Sequence, residues 1–191
     1  MFQVRIHGRG GQGAVTAAEL LSVAAFDEGR HAQAFPSFGS ERTGAPVTAF
    51  CRIDDQPIRV REPVTRPDAL IVQDATLLHQ VDVFEGVRPG GAALVNSPLD
   101  ARELGLDALS CRVLTVPATA LALRRIGRPV PNAALLGGLA ALTGCVGIDA
   151  LTEAIRDRFP GRLGPANADA AREAYALVRN LCEEHAHAEA D

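Results

Sequence analysis

Between residues 8 and 13 the chain reads Gly8-Arg9-Gly10-Gly11-Gln12-Gly13. Its flanks restrict the fold more than any other stretch does. Phe2 to Ile6 alternates apolar and polar residues and predicts a strand. Ala14 to Gly29 predicts a helix, with Ala14, Ala17, Ala18, Leu21 and Ala25 on one face and Thr16 and Glu19 on the other. Gly29 is its C-terminal stop. Strand, glycine loop and helix make the first half of a βαβ unit. Gly8, Gly10 and Gly13 spell G-x-G-x-x-G, which permits a sharp turn and a close backbone approach to a phosphate. The helix N-terminus adds free N–H groups and positive potential. The loop therefore reads as an anion site or as a tight strand-to-helix turn. A dinucleotide site also needs an acid at the end of the second strand. Here that strand ends Ala34-Phe35-Pro36-Ser37, and Asp27 and Glu28 come before it, which argues against a conventional NAD site.

The rest of the chain continues the alternation. Strands are predicted over Ala32 to Phe35 and Val47 to Ile53, then Ala69 to Gln73, Ala92 to Val95 and Arg112 to Val116. Asp54 to Pro57 reads as a turn into a returning strand, Ile58 to Val60, making an antiparallel hairpin with Val47 to Ile53. Residues 36–46 form a loop rich in turn formers. Helices are predicted over Thr76 to Phe84, Pro117 to Gly127, Pro131 to Thr143, Asp149 to Phe159 and Asn167 to about His185. Asp149 is the expected cap of its helix. The small apolar residues of 131–143 predict a buried helix or a subunit contact. The fold class is α/β: a mostly parallel sheet with flanking helices, a Rossmann-like start, one antiparallel hairpin and a helical C-terminal part. Residues 1–191 read as one domain, with the sheet in about 1–116 and mainly helix in about 117–191.

Composition removes several function classes. The net charge is −4, the opposite of a chain held to nucleic acid by phosphate contacts. No apolar run reaches the ~18 to 20 residues of a membrane helix. The start runs straight into a strand pattern, so no signal peptide is expected. All nineteen basic residues are arginine, so no Schiff-base or Walker-type lysine exists. Cys51, Cys111, Cys145 and Cys182 are scattered and form no C-x-x-C, so neither a ferredoxin-type cluster nor a zinc finger is predicted. Isolated thiols fit a reducing cytoplasm.

Three stretches together resemble the gamma subunit of the 2-oxoacid:ferredoxin oxidoreductases, of the pyruvate:ferredoxin oxidoreductase type. They are the glycine loop, then Phe35-Pro36-Ser37-Phe38-Gly39-Ser40-Glu41-Arg42-Thr43-Gly44-Ala45-Pro46, then Pro67-Asp68-Ala69-Leu70 with Gln73-Asp74. The resemblance implies a cytoplasmic hetero-oligomer that oxidatively decarboxylates a 2-oxoacid to acyl-CoA and carbon dioxide. It implies alpha, beta and ferredoxin-like delta partners holding thiamine diphosphate, magnesium and iron–sulfur clusters. Electrons would pass to ferredoxin, or to NAD through a flavin subunit. Pyruvate is the favoured substrate; 2-oxoglutarate, branched-chain, indolepyruvate and phenylglyoxylate enzymes share the subunit type. The isolated chain would be inactive.

Under that resemblance the loops 8–13 and 37–44 lie together at the carboxyl ends of adjacent strands, facing the coenzyme A path. Cofactor-binding candidates are Gly8, Arg9, Gly10, Gly11, Gln12, Gly13, Ser37, Glu41 and Arg42. Arg9 and Arg42 would fork onto coenzyme A phosphates, with backbone N–H groups of Gly10, Gly11 and Gly13 beside them. Alternatively, Glu41 and Arg42 form an intersubunit ion pair that shapes the loop. His7 reads as a general base or a hydrogen-bonded structural histidine. Asp74 and Asn96-Ser97 end strands, so they border the same crevice or cap a helix or turn. Two other functions stay open: a free-standing nucleotide-binding oxidoreductase, and a non-catalytic assembly subunit.

Overall fold

A computed structural model describes residues 1–37 and 43–188. Its strands are β1 (Phe2–Arg9), β2 (His31–Pro36), β3 (Pro46–Asp54), β4 (Ala69–Val72), β5 (Ala92–Asn96) and β6 (Arg112–Val116). Its α-helices are α1 (Ala14–Asp27), α2 (Ala118–Ile126), α3 (Asn132–Thr143), α4 (Ile148–Arg158) and α5 (Leu163–Ala188). The strands form one sheet in the order β2-β3-β1-β4-β5-β6. The pairs β1/β4, β4/β5 and β5/β6 are parallel, whereas β3 runs antiparallel to both β1 and β2. The β1-α1-β2 unit is thus split, with β3 inserted between its two parallel strands.

The predicted hairpin changes place. No strand forms at Ile58 to Val60. Both edges of β3 are already taken, by Val4↔Cys51 on one side and Ala34↔Cys51 on the other, so a returning strand has no edge to join. The hairpin is β2-β3 instead. The predicted helix 76–84 shrinks to a 3₁₀ turn at Ala75–His79. Beyond it Asp82 turns its carboxylate back to the Phe84 N–H at 3.2 Å, a local bond that competes with helix. Gly147, not Asp149, occupies the cap position of α4, and Asp149 pairs with Arg172 at 2.8 Å.

All five α-helices cover one face of the sheet. Val4, Ile6, Cys51, Ile71, Leu94 and Leu114 point into a shared core with them. The other face of β4, β5 and β6 is covered by the 3₁₀ turn and connecting segments, through Val72, Val95, Leu77 and Val83. The flanking helices expected from the sequence therefore flank one side only. Helix α3 is buried almost throughout. A Cβ on Gly137 would land in the backbone carbonyl of Ala171, and one on Gly138 would lie 2.7 Å from Leu94. These glycines let α3 seat between α5 and the sheet.

Candidate functional site

The chain leaves β1 toward β2 on one side and leaves β4 toward β5 on the other. The carboxyl ends of β1 and β4 therefore flank a topological switch point, the place where open α/β sheets bind ligands. The glycine loop follows β1 there, and Gln73-Asp74 follows β4.

Asp74 organises this junction. Its Oδ2 accepts from Arg9 Nε at 3.0 Å and from Gln12 Nε2 at 3.1 Å. Its Oδ1 accepts from Thr76 N at 3.0 Å and Thr76 Oγ1 at 2.5 Å, which caps the 3₁₀ turn. Partial burial opposes the charge of Asp74. The hydrogen bonds from Thr76 and Gln12, with the Arg9 guanidinium, outweigh it and hold the carboxyl below the usual carboxylate range. Gln12 Oε1 in turn accepts from Arg9 N at 2.8 Å. Arg9 also donates to Gly44 O at 3.1 Å, Thr76 Oγ1 at 2.6 Å and Gln80 Oε1 at 3.1 Å. Most of its five donors are thus spent inside the chain.

The glycines have separate reasons. Gly11 and Gly13 have φ of 93° and 77°, a region that favours glycine. A Cβ on Gly13 would also lie 2.7 Å from Asn132 Nδ2 at the start of α3, and one on Gly8 would strike the Gln73 carboxamide. Gln73 is buried, and neither end of its carboxamide has a hydrogen-bond partner among the described residues. Gly13 caps α1 with no side-chain bond, so among the described residues the first-turn N–H groups have no partner. They border a 240 Å³ recess lined by Arg9, Gly11, Gly13, Ala14, Thr16 and Val47.

The second loop does meet the first. Gly10 N donates to Ala45 O at 2.9 Å, and Gly44 N donates to Gly10 O at 3.1 Å. The strands that carry the two loops are not adjacent, however; β3 separates β1 from β2, and its entry segment brings the loops together. Ser37 sits apart from the α1 recess. Its N–H donates to Thr48 O at 2.8 Å, and it lines a 240 Å³ recess with Arg5, His7, Thr48 and Phe50 on the face away from the helices. Glu41 and Arg42 lie outside the described residues.

His7 is buried and accepts from Arg5 Nε at 3.0 Å through Nε2. Burial, helped by the Arg5 charge, pushes its pKa down to about 4. This is the structural histidine of the two readings. Asn96 also takes its structural role: its Oδ1 accepts from Thr119 N at 3.1 Å at the start of α2. Asp74 both borders the crevice and caps a turn. Gln73 entered the sequence analysis only within the Gln73-Asp74 motif, and Thr76 and Asn132 were given no site role there.

The four cysteines are free thiols, and burial raises those of Cys51 and Cys145. Among the described residues no three His, Cys, Asp or Glu side chains gather to hold a metal ion, so the described donor set does not fit an iron–sulfur cluster. No helix of the described residues is long and apolar enough to cross a membrane.

Residues 3–177 match the family model of pyruvate ferredoxin/flavodoxin oxidoreductase. The pyruvate synthase subunit PorC of Methanothermobacter thermautotrophicus is 49% identical, over 95% of this chain and 98% of its own length. The pyruvate/ketoisovalerate oxidoreductases common subunit gamma of Pyrococcus furiosus is 50% identical, over 92% of this chain and 96% of its own. The crystal structure of pyruvate oxidoreductase subunit PORC from Thermotoga maritima superposes with a TM-score of 0.81 at 38% identity, covering 92% of this chain and 95% of that one.

Proposed function

The chain belongs to the pyruvate ferredoxin/flavodoxin oxidoreductase family, whose model it matches over residues 3–177, and on that premise we propose that it serves the acyl-transfer side of such a complex. The complex oxidatively decarboxylates a 2-oxoacid, pyruvate first among them, to acyl-CoA and carbon dioxide, with ferredoxin as electron acceptor. Thiamine diphosphate with magnesium, and the iron–sulfur clusters, supply the decarboxylation and electron-transfer chemistry from partner chains of alpha, beta and ferredoxin-like delta type. This chain holds the phosphates of coenzyme A. The Pyrococcus furiosus relative is called a common subunit for pyruvate and ketoisovalerate, which supports placing choice of the 2-oxoacid on other chains.

One observation carries the coenzyme A reading. The N-terminus of α1 has no side-chain cap and faces a recess beside the glycine loop, bounded by Val47 of β3, where its N–H groups and positive potential suit a phosphate. Arg9 contributes positive charge and fixes the loop, because most of its donors are held by Asp74, Gly44, Thr76 and Gln80. The backbone N–H groups make the phosphate contact.

Steady-state kinetics of the intact complex test this. Asp74→Asn weakens the hold on Arg9 and Gln12, a loss of about 1.5 kcal/mol for a charged hydrogen bond. The apparent KM for coenzyme A should rise about tenfold, with the KM for the 2-oxoacid unchanged. Arg42→Gln should act in the same direction. An unmoved coenzyme A constant in both variants would remove the phosphate role and leave an assembly subunit.

A further inference from the structure

Among the described residues strand β6 ends the sheet, and its outer edge is unpaired. Arg112 N donates to Gly91 O at 2.8 Å, and Val116 O accepts from Ser97 N at 3.1 Å. In a parallel ladder the residues of one parity turn both backbone groups to the neighbour. Arg112, Leu114 and Val116 therefore face β5, and the N–H and C=O groups of Val113 and Thr115 face outward. Among the described residues nothing pairs with them. They open onto a 410 Å³ groove with two walls, Leu181 and His185 of α5 on one side and the segment bearing Leu106 on the other.

We infer that this edge receives an extended segment from a partner subunit, added as a seventh strand beside β6. The inference rests on reading this chain as one subunit of a larger complex. Three features select that occupant. Outward backbone donors and acceptors call for an extended backbone, the mode in which strand addition works. The edge is recessed between two walls, so the β6 edge of a second copy, walled in the same way, cannot reach it. The groove's charges balance, Arg102 and Arg112 against Asp100 and Asp107. The occupant is therefore recognised by backbone pairing and by apolar side chains against Leu106 and Leu181, and salt does not release it. A matching strand of about five residues spans about 16 Å. An unpaired edge is otherwise an aggregation hazard, which a permanent partner removes.

Amide hydrogen exchange, compared between the isolated full chain and the assembled complex, tests the inference. In the isolated chain the amides of Leu114 and Val116 should be protected and those of Val113 and Thr115 fast. Assembly should slow Val113 and Thr115 about a hundredfold. If the complex forms by native mass and both amides stay fast, the inference is overturned while the functional reading stands. If no complex forms, both fall. Protection that appears in the isolated chain and grows with concentration would mean a second copy, and would also overturn it. Thr115→Pro removes an outward N–H and no β5-β6 bond. It should weaken assembly about tenfold with Leu114 protection retained, and full-strength assembly would count against the inference.

Discussion

At neutral pH His7 carries no charge, which makes it one of the residues through which this fold responds to acid. Its folded pKa is about 4, against about 6.5 for an ordinary histidine. Between those values the unfolded chain binds a proton that the folded chain refuses. The stability is fully present above about pH 6.5 and declines as the pH falls toward 4, by about 3 kcal/mol in all. His7→Gln keeps an acceptor for Arg5 Nε and removes the titration. Denaturant unfolding across pH 7 to 4.5 should show the wild type losing more stability than the variant; parallel curves would refute the assignment. The glycine loop was legible because its chemistry is local: a strand, six residues and a helix. Asp74 was visible as a strand end and within the Gln73-Asp74 motif, but its partners were not. Its partners Arg9 and Gln12 stand 65 and 62 positions away, and only the pairing of β1 with β4 brings them within reach. The same non-locality hid Asn132, which packs against Gly13 across the whole sheet portion of the chain.

Elements with strong periodicity or strong punctuation were readable, and those decided by competition for an edge were not. Strand β6 has the predicted bounds, and α2 stops at Gly127, whose φ of 75° suits glycine. Ile58 to Val60 has strand-like residues but no partner edge, because β3 is already paired on both sides. Local propensity carries no information about which edges are already filled. Helix α3 shows the opposite case. Its small apolar residues predicted burial, and the structure supplies the reason in Gly137 and Gly138. Gly137→Ala should destabilise the chain by about 3 kcal/mol or more, because backbone of α5 rather than a flexible side chain stands in the way. Thermal unfolding measures this. A melting temperature within a degree of wild type would show that the α3-α5 contact is looser than described.

At the scale of the molecule, the helices cover one face of the sheet, a recess opens at the N-terminus of α1, and β2 and β6 end the sheet. The alternating α/β order and the strand, glycine loop and helix that open it were legible along the chain. Which face the helices take, and which strands end the sheet, follow from long-range pairing that no single segment encodes. The central claim is that the chain works as one part of a coenzyme A-acylating 2-oxoacid oxidoreductase. Its most direct test is the native mass of the chain purified anaerobically from its host. The account predicts co-migration with larger chains that carry thiamine diphosphate and iron–sulfur clusters. A chain that runs alone, or only with copies of itself, would contradict it.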